Sequence, residues 1–256
     1  MGEIRTETRE VEGAPVARVV IDRAAKLNAL DTPLTRTLTE TIQGLGAEAG
    51  LRAVVIEGAG DKAWVGGGDI GEMAALDTAS ARAFIGGLHD AMVAVRDLPV
   101  PVIAAVGGYT LGAGMELAAA CDMRIASTAA HFGMPEVQVG LPSVIEASLL
   151  PGLMGRGRAA RLMLTGEVID AQRAYEWGFV EEVVAPDKLA DAVDAVLGDL
   201  CRAGPLAVRS QKRLMRQWEA MTPDAAAEAS IATFVGTFEA DEASQRLGTF
   251  ANRRKG

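Results

Sequence analysis

Residues 101–122, PVIAAVGGYTLGAGMELAAACD, decide how this chain folds. The stretch opens as a short apolar run, crosses a glycine-rich turn and continues as a helix so apolar that Glu116 is its one acid. A brief apolar run closed by turn residues reads as a buried strand. Strand, turn and helix in succession are the building unit of α/β architecture. The turn leaves backbone N–H groups unpaired at the positive end of a helix dipole. One turn further on, a carboxyl among Ala, Leu and Met is poorly placed for solvation. Backbone donors beside such an acid are a setting for chemistry.

The same alternation extends on both sides. Residues 16–21 read as a buried strand. Thr32 reads as the cap of a helix with Pro33 at its first position, ending at Gly44 or Gly46. A strand follows over 52–57, a glycine-rich loop over 58–71, a helix over 78–96, a strand over 100–106, a helix over 112–121 and a short strand over 123–126. From Ser143 onward, short helices are joined by glycines, FVEEVV (179–184) is a last strand, and everything after Pro186 reads as helical. The pattern predicts an α/β core with a helical C-terminal region. The boundary is placed at residue 195: 1–195 for the core and its site, 196–256 for a helical region rich in small residues that needs a partner surface.

Composition narrows the function. Apolar residues make up 49% of the 256, ample for a core, whereas aromatics at 4% leave its filling to Ala, Val, Leu and Ile. A net charge of −9 argues against nucleic-acid binding. Cys121 and Cys201 both lie in apolar, helical-looking sequence, which fits a reducing, cytoplasmic setting. With two histidines and no CxxC or HExxH, no metal site is expected. No apolar run is long enough to span a bilayer. The polar first residues give no secretory leader, and MGEIRT fits the myristoylation pattern only loosely, with the acid Glu3 against it.

Two glycine-rich loops each follow a strand: AWVGGGDI (63–70) and GGYTLGAGME (107–116). Neither is a GxGxxG and neither carries the Lys-Ser/Thr of a phosphate loop, so neither points to NAD or ATP. Their N–H groups can converge on one oxygen, where each donor is worth ~3 kcal/mol to a developing anion. Two tight turns fit the same spacing. Glu116 and Glu136 (in HFGMPEVQVG) stand among apolar and small residues, unlike the solvated acids of 181–191. Two carboxyls in one pocket can serve as acid and base; taken singly, each also fits a paired structural acid.

Together, KLNAL (26–30), AWVGGGDI (63–70), PVIAAVGGYTLGAGMELAAACDMRIAS (101–127), FGMPEVQVGLP (132–142) and LTGEVIDAQRAYEWGFVEEVV (164–184) resemble the enoyl-CoA hydratase/isomerase (crotonase) family across almost the whole chain. The resemblance implies a spiral of ββα units with a helical C-terminal region, assembled as a homotrimer or a dimer of trimers. It implies an acyl-CoA substrate whose thioester oxygen accepts from the backbone N–H groups of Gly68 and Ala113. It gives Glu116 the activation of water for attack at C3 and Glu136 delivery of a proton to C2. Retention of both acids favours a hydratase over the isomerases and hydrolases of the same scaffold, and over its non-catalytic members. No cofactor is implied beyond the CoA of the substrate. Lys26, Leu27, Ala29, Gly66, Gly67, Asp69 and Ile70 are implied contacts of the CoA moiety, with Phe250 and Arg253 reaching the adenine end of a neighbouring subunit's ligand. Asp69 and Asp122 read as structural acids, His131 as a structural histidine and Trp64 as packing.

One segment departs from the family pattern. Where relatives carry a run such as TIPGAGGTQRL, this chain has LPSVIEASLL (141–150), with Ser143 in place of a glycine and Glu146 as a third acid. Glu146 reads as a first-turn helix acid complementing the dipole. Arg209, Lys212, Arg213 and Arg216 share a helix face and read either as CoA contacts or as plain surface.

Overall fold

A computed structural model describes residues 2–253 of the chain. β1 (Glu3–Val11) folds back on β2 (Ala14–Asp22) through Glu12 and Gly13, at φ 51° and 72°. Left-handed angles at both residues are what a two-residue hairpin requires. α1 (Thr32–Gly46) starts one residue earlier than Thr32 as cap would place it: the Asp31 carboxylate accepts from Leu34 N at 2.9 Å. Asp outcompetes Thr because its carboxylate is both acceptor and counter-charge to the dipole.

Three successive units then repeat one plan. β3 (Ala53–Gly58) is followed by β4 (Ala63–Val65), the single turn α2 (Ile70–Met73) and α3 (Thr78–Asp97). β5 (Val102–Val106) is followed by β6 (Tyr109–Leu111) and α4 (Ala113–Ala120). β7 (Met123–Ser127) is followed by β8 (His131–Gly133) and the 3₁₀ turn Pro135–Val139. The first strand of each unit joins a six-stranded sheet, β1-β2-β3-β5-β7, closed by β10 (Glu182–Val184), and the second a four-stranded sheet, β4-β6-β8, closed by β9 (Val168–Asp170). The short strands β4, β6 and β8 lie inside segments that read as loops, since three residues are too few to show a period of two.

The remaining elements are α5 (Leu150–Met154), α6 (Arg156–Thr165), β9 (Val168–Asp170), α7 (Ala171–Glu176), β10 (Glu182–Val184), α8 (Leu189–Arg202), α9 (Pro205–Trp218), α10 (Pro223–Gly236) and α11 (Asp241–Arg253). The inner parallel strands β3, β5 and β7 of the larger sheet are buried on both faces, whereas β1, paired antiparallel at its edge, is largely exposed. Val54, Ile56, Val102 and Ala104 face α1, α3 and α4, while Ala53, Val55, Ile103 and Ala105 face α8 through Val193, Leu197 and Cys201. α8 runs through residue 195 and packs on the core, so the helical region begins as part of the α/β unit.

α9 is pinned by its basic face. Lys212 is buried, with Nζ 2.7 Å from Asp122 Oδ2 and 2.9 Å from Val100 O. Arg209 donates to Leu51 O at 2.8 Å and Arg216 to Asp97 at 2.9 Å. These three cations therefore hold α9 to the core. α11 turns back onto the α8–α9 corner, where Glu242 accepts from Leu206 N and Ala207 N and Arg246 donates to Ala203 O. No helix among the described residues is long and apolar enough to cross a membrane.

Candidate active site

The two glycine-rich loops meet at one pocket, a cavity of about 190 Å³. Its first edge is locked by the 26–30 segment. Asn28, fully buried at φ 55°, donates to Ala59 O and Ala63 O and accepts from Arg23 N. Leu27 O then accepts from Gly66 N, Leu30 N donates to Gly67 O and Leu30 O accepts from Asp69 N. Bonds on alternate peptides leave the Gly68 N–H on the opposite side of the chain, toward the pocket it lines. It has no acceptor among the described residues.

The second edge is the start of α4. Gly112 takes φ 52°, and a Cβ there would overlap Glu136 Oε1, so this position needs glycine twice over. Gly114 lies directly on the Val65 carbonyl, which draws α4 against β4 and brings the two loops together. Ala113 is the first residue of α4 and lines the pocket, and its N–H has no acceptor among the described residues.

Glu116 and Glu136 line this same pocket. Glu116 is 3% exposed, and its Oε1 accepts from Ala147 N at 3.1 Å. Burial pushes its carboxyl from 4.5 up to about 8; the Ala147 bond works against this, and the charges of Glu136 and Glu146 add to it. The Glu116 proton is therefore retained at neutral pH. Glu136 follows Pro135 on the 3₁₀ turn, with Oε2 accepting from Ser143 Oγ at 2.9 Å. The remaining walls are largely apolar, Ile70, Met73, Phe84, Leu88, Leu141 and Val144 among them, and among the described residues the two glutamates are the only ionisable side chains that line the pocket.

The departing segment 141–150 thus touches both acids: Ser143 holds one and Ala147 the other. Its backbone is strained. Ile145, a β-branched residue, sits at φ 39°, at a cost on the order of 1–3 kcal/mol that its surroundings must offset. Glu146 is not a dipole-complementing surface acid. It is 2% exposed, with His89 Nδ1 at 3.1 Å from both carboxylate oxygens and Arg96 Nη1 at 3.5 Å. The sequence showed Ser143 and Glu146 as departures; it held no sign of Ala147, His89 or Arg96, because a backbone donor and two residues some fifty positions away carry no local pattern.

Gly66, Gly67, Gly68, Ile70, Ala113, Glu116 and Glu136 all line the pocket, whereas Lys26, Leu27, Ala29, Asp69 and Phe250 do not. Asp69 caps α2 through Glu72 N at 2.8 Å and pairs with Arg23 at 2.5 Å; these contacts hold its carboxyl below the usual range. Its carboxylate is thus committed to the loop whose N–H groups border the pocket. Phe250 is exposed on α11. The side chain of Arg253 and residues 254–256 lie outside the described residues. Trp64 is buried with Nε1 bonded to Ile56 O, and His131 stacks on Tyr109. Burial pushes the Cys121 thiol up to about 12, far from a nucleophile's range.

A family model described as enoyl-CoA hydratase/isomerase matches residues 12–256. A crotonyl-CoA hydratase of Syntrophomonas wolfei is 33% identical over 241 residues, covering 94% of this chain and 93% of the relative. A short-chain-enoyl-CoA hydratase of Clostridium acetobutylicum is 33% identical over 254 residues, covering 99% and 97%. The crystal structure of an enoyl-CoA hydratase from Bacillus anthracis superposes with a TM-score of 0.93 at 30% identity, covering 98% of this chain and 96% of that one.

Proposed function

The chain belongs to the enoyl-CoA hydratase/isomerase family, and from that premise we propose that the pocket adds water across a trans-2-enoyl-CoA to give the 3-hydroxyacyl-CoA. One observation carries the reading: two N–H donors without an acceptor among the described residues, of Gly68 and Ala113, and two carboxyls, of Glu116 and Glu136, border a single cavity whose other walls are largely apolar.

In this reading the thioester oxygen accepts from Gly68 N and Ala113 N, an oxyanion hole worth ~3 kcal/mol per donor as charge moves onto that oxygen. Glu116 takes a proton from water as the water oxygen bonds to C3. The C2=C3 electron pair moves toward the thioester as an enolate, and Glu136 delivers a proton to C2. The pair works with one proton. Burial keeps it on Glu116 up to about pH 8, which is the arrangement that hydration ends in and dehydration starts from. One proton passes from Glu116 to Glu136 through pocket solvent before the next water is added. The chemistry uses no metal and no cofactor beyond the substrate's own CoA.

The CoA moiety is assigned to Lys26, Leu27, Ala29, Gly66, Gly67, Asp69 and Ile70, supported by the bonds that join the 26–30 segment to the rim of the pocket. Assembly is assigned as a homotrimer or a dimer of trimers, supported by the exposed Ile231, Phe234, Val235 and Phe238 of the C-terminal helices; Phe250 and Arg253 are assigned to a neighbouring subunit's ligand. A cytoplasmic location is supported by two buried cysteines that form no disulfide.

A panel of acyl-CoA thioesters followed by mass spectrometry tests the reaction. Gain of one water identifies hydration; a moved double bond at unchanged mass, or release of free CoA, would replace it with isomerisation or hydrolysis. Glu116→Gln and Glu136→Gln should each lower turnover by roughly 10²–10⁴-fold with the fold intact, and full activity in both would refute the roles given.

A further inference from the structure

We propose that Glu146 is a positioning residue: anchored by Arg96 and His89 of α3, it fixes the turn whose Ala147 N–H orients the Glu116 carboxyl. This rests on the role proposed above for Glu116.

Four observations lead there. Glu146 is buried, yet it does not line the pocket and the chemistry does not use it. Its two anchors come from a different element, so the ion cluster ties the 3₁₀ turn Ile145–Leu149 to α3. The next residue, Ala147, donates to Glu116 at 3.1 Å. Between cluster and pocket stands Ile145 at φ 39°, a conformation a β-branched residue leaves unless it is held. Without the anchor, the turn relaxes and the bond that aims Glu116 is lost.

The groups facing Glu146 are Arg96 and His89 of α3 and Glu116 of α4; Arg96 also pairs with Glu219 beyond α9. Arg96 therefore stands between the helical layer and the turn. The Glu146 charge also helps keep the Glu116 carboxyl neutral, so the same residue sets the orientation and favours the proton state of the acid in front of it.

Three variants separate positioning from mere support. Glu146→Ala leaves Arg96 without a buried partner and is expected to lose both stability and turnover. The double variant Arg96→Met with Glu146→Met replaces the ions by apolar chains of similar volume, which is often neutral for stability. It is expected to regain the melting temperature while kcat for hydration of crotonyl-CoA stays down by roughly 10²-fold and KM moves little. Glu146→Gln keeps the shape and a hydrogen-bonding group toward Arg96 and His89; it is expected to restore most of kcat and to move the Glu116 titration, followed by ¹³C NMR of its carboxyl, to lower pH.

A double variant that regains stability and kcat together overturns the proposal, as does an unmoved Glu116 titration in Glu146→Gln. Wild-type protein that turns over no enoyl-CoA refutes the hydratase reading instead. In that case the titration of Glu116 still decides whether Glu146 acts on it.

Discussion

Glu116→Gln should make the folded chain more resistant to unfolding at alkaline pH even as it removes activity. The unfolded chain releases this proton near 4.5, whereas the folded one holds it to about 8. Between those values the folded state binds more protons, so stability falls as pH rises across the window and the penalty is complete above about 8. At about 1.4 kcal/mol per pH unit, the part of that window above pH 5 corresponds to roughly 3–4 kcal/mol. Gln carries no proton to lose and retains an oxygen to accept from Ala147 N. The assay is urea unfolding followed by circular dichroism at pH 5, 7 and 9, at one protein concentration because assembly contributes to stability. The free-energy gap between variant and wild type should widen by roughly 3–4 kcal/mol from pH 5 to 9. Curves that run parallel would refute the reasoning: Glu116 would then ionise in the folded chain much as it does in the unfolded one, and the pocket around it would not be the poorly solvated site described.

Two further perturbations probe the other acid. Ser143→Ala removes the hydroxyl that donates to Glu136 at 2.9 Å; the loss of one hydrogen bond, about 0.5–1.5 kcal/mol, should lower kcat by roughly two- to tenfold, and unchanged steady-state kinetics would show that Glu136 is oriented without it. Gly112→Ala places a methyl against Glu136 Oε1 and a side chain at φ 52°. It should lower Tm and turnover together, through backbone strain on the order of 1–3 kcal/mol and displacement of the carboxyl, and a fully active, equally stable variant would contradict the close packing.

By itself the sequence determined the alternation of elements and marked out several of the residues that line the pocket. Short apolar runs closed by turn residues read as buried strands, and the second glycine-rich loop carried its family motif on a glycine at left-handed φ, Gly112, and on one lying against a backbone carbonyl, Gly114. Gly68, Ala113, Glu116 and Glu136 were legible because each sits within a local motif. Three-residue strands were not, since β4, β6 and β8 are too short to show a period and form only by pairing with one another. Asp31 rather than Thr32 caps α1, a choice between neighbouring acceptors that side-chain geometry makes.

The tertiary structure alone decided which atoms meet. Lys212 looked like one cation among several on α9, but the last turn of α3, the Val100 carbonyl ahead of β5 and the carboxylate of Asp122 close around it. Glu146 looked like a surface acid at a helix start, but α3 supplies Arg96 and His89 from some fifty residues away. The proton on Glu116 is likewise a consequence of packing: its burial depends on the 141–150 segment closing over α4. A carboxyl's identity is local, whereas its solvation and its partners belong to whatever the rest of the chain brings beside it.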